Sequence, residues 1–245
     1  MDKQQLILTS RTLAMQRIAD HVCHGYSEYC CGAVSPEKCV NLIRKFKLLY
    51  YIDADRNIRA RHKRQHLGNA VLVMWYRQAD RVIYWWLLVT PKSAGEHPAH
   101  ANEQLRDALN PESRLQIDGF DLVRLPKPSN KNVSQRTVGK EASSLTRWTW
   151  RMSTQKYEDW RHSVIDTVRT GSSSAMHSLL YRLWSSPGFG GIRSQIGKIT
   201  ALYRSEVKRA NRRDAPVPPK KLYYIRRLKV VGLSPEQVLV QSRQE

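Results

Sequence analysis

What this sequence has little of narrows it before any motif does. No apolar run approaches the roughly 20 residues that a bilayer-spanning helix needs, and the start MDKQQLILTS lacks the long apolar stretch of a secretory signal. A soluble, cytoplasmic protein without membrane contact is expected. Acids are scarce as well: 21 Asp+Glu stand against 41 Lys+Arg, a net of +20. A compact body with that charge repels itself unless a polyanion offsets it, so nucleic acid, DNA or RNA, is the expected partner. Phe is nearly absent, with three beside seven Trp and eleven Tyr. Aromatic usage therefore leans toward rings with a polar edge, which suit base stacking and interfaces.

Cysteine is confined to Cys23, Cys30, Cys31 and Cys39. The spacing has no paired C-x-x-C arms, and neighbouring cysteines rarely share one ion comfortably, so free thiols are expected rather than zinc. Several catalytic signatures are missing. No Gly-Lys-Ser/Thr follows the glycines Gly188, Gly190 and Gly191, and no strand precedes them, which excludes a nucleotide-binding P-loop and a dinucleotide fingerprint. The H-x-H pattern of rolling-circle and relaxase enzymes does not occur. Asp53-x-Asp55-x-Asn57 opens like a calcium loop, but Ile58 stands where glycine is needed and Arg64 where a bidentate acid is needed. No metal or other cofactor is expected.

The charge that is present is uneven. Residues 1–55 hold seven Lys/Arg against six acids, leaving 34 against 15 for residues 56–245. The chain divides on this reading into a near-neutral N-terminal helical unit (1–55), a basic arm with a sheet unit (56–125), a basic Pro/Ser/Asn-rich linker (126–146) and a C-terminal helical subdomain (147–245). In the first unit, helices are expected over about 10–25, capped by Ser10, and from Ser35-Pro36 to about Tyr50, joined by a cysteine-bearing loop and free to meet other protein subunits. AVLVMWY and RVIYWWLLVT flank the polar turn 77–80 as a β-hairpin. His97-Pro98 opens a helix to about Leu109, and Asp118-Gly119 turns a second hairpin. The order ββαββ predicts a small antiparallel sheet and the α+β class. Helices follow over about 154–169 and 174–185, and KLYYIRRLKVV reads as a final edge strand.

The chain is organised around Ser186–Arg213. A Pro-Gly-Phe-Gly-Gly turn feeds a helix whose Ile192, Ile196, Ile199, Tyr203 and Val207 repeat at helical spacing and face inward. Arg193, Gly197, Arg204 and Lys208 line one flank, with Arg212 and Arg213 beyond, and a glycine among cations admits a phosphate backbone closely. Further phosphate contacts are expected from Arg56, Arg59, Arg61, Lys63 and Arg64 in the basic arm and from Lys127, Lys131 and Arg136 in the linker. In Arg147-Trp148-Thr149-Trp150-Arg151 the indoles are positioned to stack bases beside guanidinium groups.

Two readings lead, beside a third, structural one of a ribosome-type or membrane-surface basic protein. The first is a nucleic-acid-binding component of a larger nucleoprotein assembly; the basic, Trp- and Arg-rich character resembles accessory proteins of bacterial mobile elements, a likeness of composition carried by no motif. The second is a nuclease or strand-transfer enzyme using a tyrosine, or His62 and His66, amid arginines, although no acid stands nearby in sequence to orient that pair. His97, His100 and Glu103 recur at steps of three, but read more simply as polar residues at a helix start.

Overall fold

The computed structural model describes residues 5–126, 146–220 and 222–244. The class is α+β, with eight α-helices and two antiparallel sheets among the described residues. The chain parts into two compact units: Met1–Leu115 with Arg227–Glu245, and Gln116–Arg226. Strand pairing draws these units, rather than the composition shifts at 55, 125 and 146. Residues 127–145, which include Lys127, Lys131 and Arg136, lie outside the described residues.

In the first unit, α1 (Arg11–Cys23) starts where the Ser10 side chain accepts the Leu13 N–H, and buries Leu13, Met15, Ile18 and Val22. α2 (Pro36–Tyr50) has proline in its first turn and buries Ile43, Phe46 and Tyr50. Between them the expected loop is instead a strand, β1 (Glu28–Val34), paired along its whole length with β3 (Val82–Val89). Cysteine is small and apolar enough to sit in a pleated, half-buried strand, so these thiols serve the sheet. All four remain free. α3 (Arg56–Arg64) follows, capped by Asp55 on the Ile58 N–H at 2.8 Å, and the basic arm is therefore helical.

The hairpin of β2 (Ala70–Arg77) and β3 forms as the alternation predicts. The long helix expected after His97 shrinks to α4 (Ala99–Asn102), because β4 (Arg106–Asp107) leaves it to pair with β1. The sheet order is β2-β3-β1-β4. Leu72, Met74, Tyr76, Ile83, Leu87 and Val89 pack with the buried side chains of α2 to make the core, joined by Val238 from α8 (Pro235–Gln244).

The second hairpin belongs to the other unit, so the single ββαββ sheet does not form. β5 (Gln116–Ile117) and β6 (Phe120–Pro126) are joined by Asp118 and Gly119, both at positive φ, 48° and 75°, as a tight two-residue hairpin turn demands. β6 pairs with β7 (Thr146–Met152), so the aromatic segment that follows residues 126–146 is a strand. α5 (Thr154–Thr170) and α7 (Gly190–Arg209) pack against β7 and each other, and α6 (Ser173–Trp184) packs against α5. The final edge strand is absent: residues 222–231 form no strand, because no neighbour offers them a ladder.

Candidate nucleic-acid interface

α7 places the central residues of the second unit. Ile192, Ile196, Ile199 and Tyr203 are buried as their spacing requires, and Val207 is half-buried. The helix start is pinned to β7. Gly191 N donates to Thr149 Oγ1 at 3.1 Å, while Gln195 accepts from Met152 N at 2.6 Å and donates to Met152 O at 3.1 Å. The flank away from the core then forms one wall of a cavity of about 520 Å3. Arg147 from β7, Arg193 and Arg204 from α7 and Lys220 all line it, and among the described residues no Asp or Glu does.

The acids that make ion pairs in this unit are engaged elsewhere. Glu206, on the buried face of α7, is held by Arg169 at 3.1 Å and Arg209 at 2.8 Å. Asp214 meets Arg212 at 2.8 Å, and Asp121 lies 4.0 Å from Arg151. The four lining cations thus face the cavity with their charge uncompensated among the described residues.

Each of the four sits differently. Arg193 Nε donates to the Leu222 carbonyl at 2.6 Å, and its guanidinium lies over the Tyr224 ring at 3.5 Å, holding residues 222–224 along the cavity. The Arg147 guanidinium lies over Gly190, where an added Cβ would come within 2.6 Å of its tip, so a larger residue there would displace the guanidinium. Arg147 Nε and Trp184 Nε1 are buried with no acceptor among the described residues, and both residues line the cavity. A buried donor left unpaired costs about 1–3 kcal/mol, which an acceptor-rich ligand would recover. Arg204 and Lys220 are exposed, and Gly197 lies beside them, open enough that an added Cβ meets nothing within 4 Å.

Other residues expected to touch nucleic acid go elsewhere. Trp150 is fully buried and is a core residue, sharing the inward face of β7 with the buried Met152. Trp148 is half-buried in register with Arg124. Arg212 is a clamp: it donates to the carbonyls of Val168 and Gly171 at 2.8 Å each, besides pairing with Asp214. Arg151 is half-buried beside Asp121, while Lys208 and Arg213 are exposed.

In the first unit, α3 buries none of its residues and exposes Arg56, Arg61, Lys63 and Arg64. Arg59 turns inward, donating to the Ile52 carbonyl at 3.2 Å. His62 Nδ1 is 3.1 Å from Asn69 Oδ1, and His66 lies past the helix end with φ 54°, so the two do not share a helical face. The other histidine group is occupied by the fold. His97 Nε2 donates to Tyr50 O at 3.3 Å, His100 Nε2 lies 3.2 Å from Glu28, and Glu103 accepts from the Tyr50 hydroxyl at 2.6 Å. Among the described residues no group of three His, Cys, Asp or Glu could hold a metal ion, and no helix is long and apolar enough to cross a membrane.

The sequence places Arg193, Gly197 and Arg204 on one helix flank and Arg147 in a separate segment; the fold brings all four to one cavity, together with Trp184, Lys220 and Tyr224, which the sequence does not connect to them. The cluster Lys220-Lys221-Leu222-Tyr223-Tyr224 carried the signal, but its reading as a strand hid it. No protein-family model, no curated protein and no solved structure matches this chain, so its own geometry is what a functional reading has to rest on.

Proposed function

We propose that this protein binds nucleic acid through phosphate contacts from Arg147, Arg193, Arg204 and Lys220, as a component of a larger nucleoprotein assembly. The observation that carries the reading is the company these cations keep: four of them line one cavity with no carboxylate among the described lining residues. Like charges gathered in a concavity repel each other, and a polyanion both relieves that repulsion and releases its own condensed counterions. Tyr224 and Trp184, in the same lining, supply rings against which an unpaired base can stack. The exposed cations of α3 give the other unit a second phosphate-binding surface.

The test is binding of fluorescein-labelled DNA and RNA, single-stranded and hairpin, measured by anisotropy across a salt series. A steep negative slope of log affinity against log salt is expected. Arg147→Gln, Arg204→Gln and Lys220→Gln together should flatten it by about 2 to 3, at roughly 0.7–0.9 per phosphate contact. A flat slope for the native chain, or a triple variant that binds as before, overturns the proposal.

A further inference from the structure

A second cavity, of about 280 Å3, lies wholly within the first unit. Its outer wall is the strip of residues 5–8, which runs along the edge of β2: Leu8 N donates to Met74 O at 2.9 Å, Tyr76 N donates to Leu8 O at 2.9 Å, and Gln5 Nε2 donates to Leu72 O at 3.1 Å. Leu6, Leu8, Ile52, Val71 and Val73 make much of the lining apolar. Two arginines break that wall, Arg17 from α1 and Arg59 from α3, together with His21.

Their charge is only partly met. Arg17 reaches Asp20 at 3.5 Å and Arg59 spends one nitrogen on the Ile52 carbonyl, yet the Nε of each is buried with no acceptor among the described residues. Asp53, the single acid in the lining, lies 4.0 Å from Lys47. Burial, and then Arg59, push the His21 imidazole down to about 4, so it is uncharged at neutral pH. Two arginines against one aspartate leave the lining at +1, beside an apolar wall.

A phosphodiester chain wants a continuous cationic track; this cavity offers one net charge and a greasy surface instead. We propose that it binds a small carboxylate, whose apolar body lies against Leu6, Leu8 and Val71 and whose carboxyl oxygens accept from Arg17 and Arg59. A cavity of about 280 Å3 has the liquid volume of about nine waters, at roughly 30 Å3 each, enough for a short acyl chain or a single ring. A guanidinium is the side chain best shaped for a carboxylate, and the apolar wall sets the class of its body. The site stands apart from the nucleic-acid reading and does not depend on it.

The test uses the full chain and titrates hexanoate, octanoate and phenylacetate, with octanol as the uncharged comparison, by calorimetry and saturation-transfer NMR. At least one carboxylate should bind saturably and at least tenfold more tightly than octanol. Arg17→Gln and Arg59→Gln should each weaken it tenfold or more. Val230→Trp, at a half-exposed position of the cavity wall, should block it while circular dichroism and nucleic-acid affinity stay as in the native chain. The proposal is overturned if none of the three carboxylates binds at millimolar concentration, if octanol binds as well as they do, or if binding persists in the folded Val230→Trp variant.

Discussion

The guanidinium carbon of Arg193 lies 3.5 Å from the centroid of the Tyr224 ring, and its Nε donates to the Leu222 carbonyl at 2.6 Å. One residue thereby both lines the cavity and fastens the chain segment that forms its far wall. Arg204, further along the same wall, makes no such contact among the described residues and is exposed. The two arginines look equivalent on a helical wheel and differ in the folded chain.

Replacing them separately should show the difference. Arg193→Ala loses a cation–π contact and a charge-assisted hydrogen bond, worth about 1–3 kcal/mol together, and should lower the denaturation midpoint in urea. Arg204→Ala should leave that midpoint within about 0.5 kcal/mol, as exposed substitutions do, while reducing nucleic-acid affinity and its salt slope. Equal stability losses in the two variants would contradict a fastening role for Arg193.

Gly197 gives a test in which stability and binding move oppositely. An added Cβ there meets nothing within 4 Å, so Gly197→Ala should stabilise α7 by about 0.5–1 kcal/mol. If a phosphate backbone passes over this glycine, the same methyl group holds it off and affinity falls. Thermal melts and anisotropy on one sample read both quantities; a variant that gains stability and keeps full affinity places the ligand elsewhere on the helix.

The two tryptophans of β7 should separate as cleanly. Trp150→Ala empties the core of its unit and should cost about 3–5 kcal/mol, whereas Trp148→Ala, on the same side of the strand but nearer its start and only half-buried, should cost much less. Urea unfolding followed by circular dichroism measures both. A mild Trp150 variant would mean that this core is not packed as described.

Acid should weaken the first unit through His97. Burial, with smaller contributions from His100 and His62, lowers its pKa from 6.5 to about 4 in the folded chain, although its bond to the Tyr50 carbonyl works the other way. Between those values the unfolded chain binds the extra proton and the folded chain does not. Stability from this group is therefore complete above pH 6.5 and is lost as pH falls toward 4, with a limiting slope of about 1.4 kcal/mol per pH unit. Urea melts at pH 7.0 and 4.5 check the direction, and His97→Gln should shrink the difference between them.

Helices were the part of this protein most legible beforehand. Ser10, Pro36 and the apolar spacing of residues 192–203 act within a turn or two of chain, so α1, α2 and α7 announce themselves locally. β1 and β7 gave no such notice. Each is a strand because of a partner far away in sequence, β3 for the first and β6 for the second, and an isolated reading of EYCCGAV or TRWTWRM has no access to that partner.

Composition and local spacing alone determined the charge imbalance, the α+β class and the helix that bears Arg193 and Arg204, since each follows from neighbours along the chain. Tertiary structure decided which cations matter. It buried Trp150, tied Arg212 to the Val168 and Gly171 carbonyls, turned Arg59 away from solvent and brought Arg147 and Lys220 to α7. The reason is physical: a side chain's charge is written in the sequence, but whether an acid, a carbonyl or a cavity stands opposite it depends on chain segments that meet only when folded.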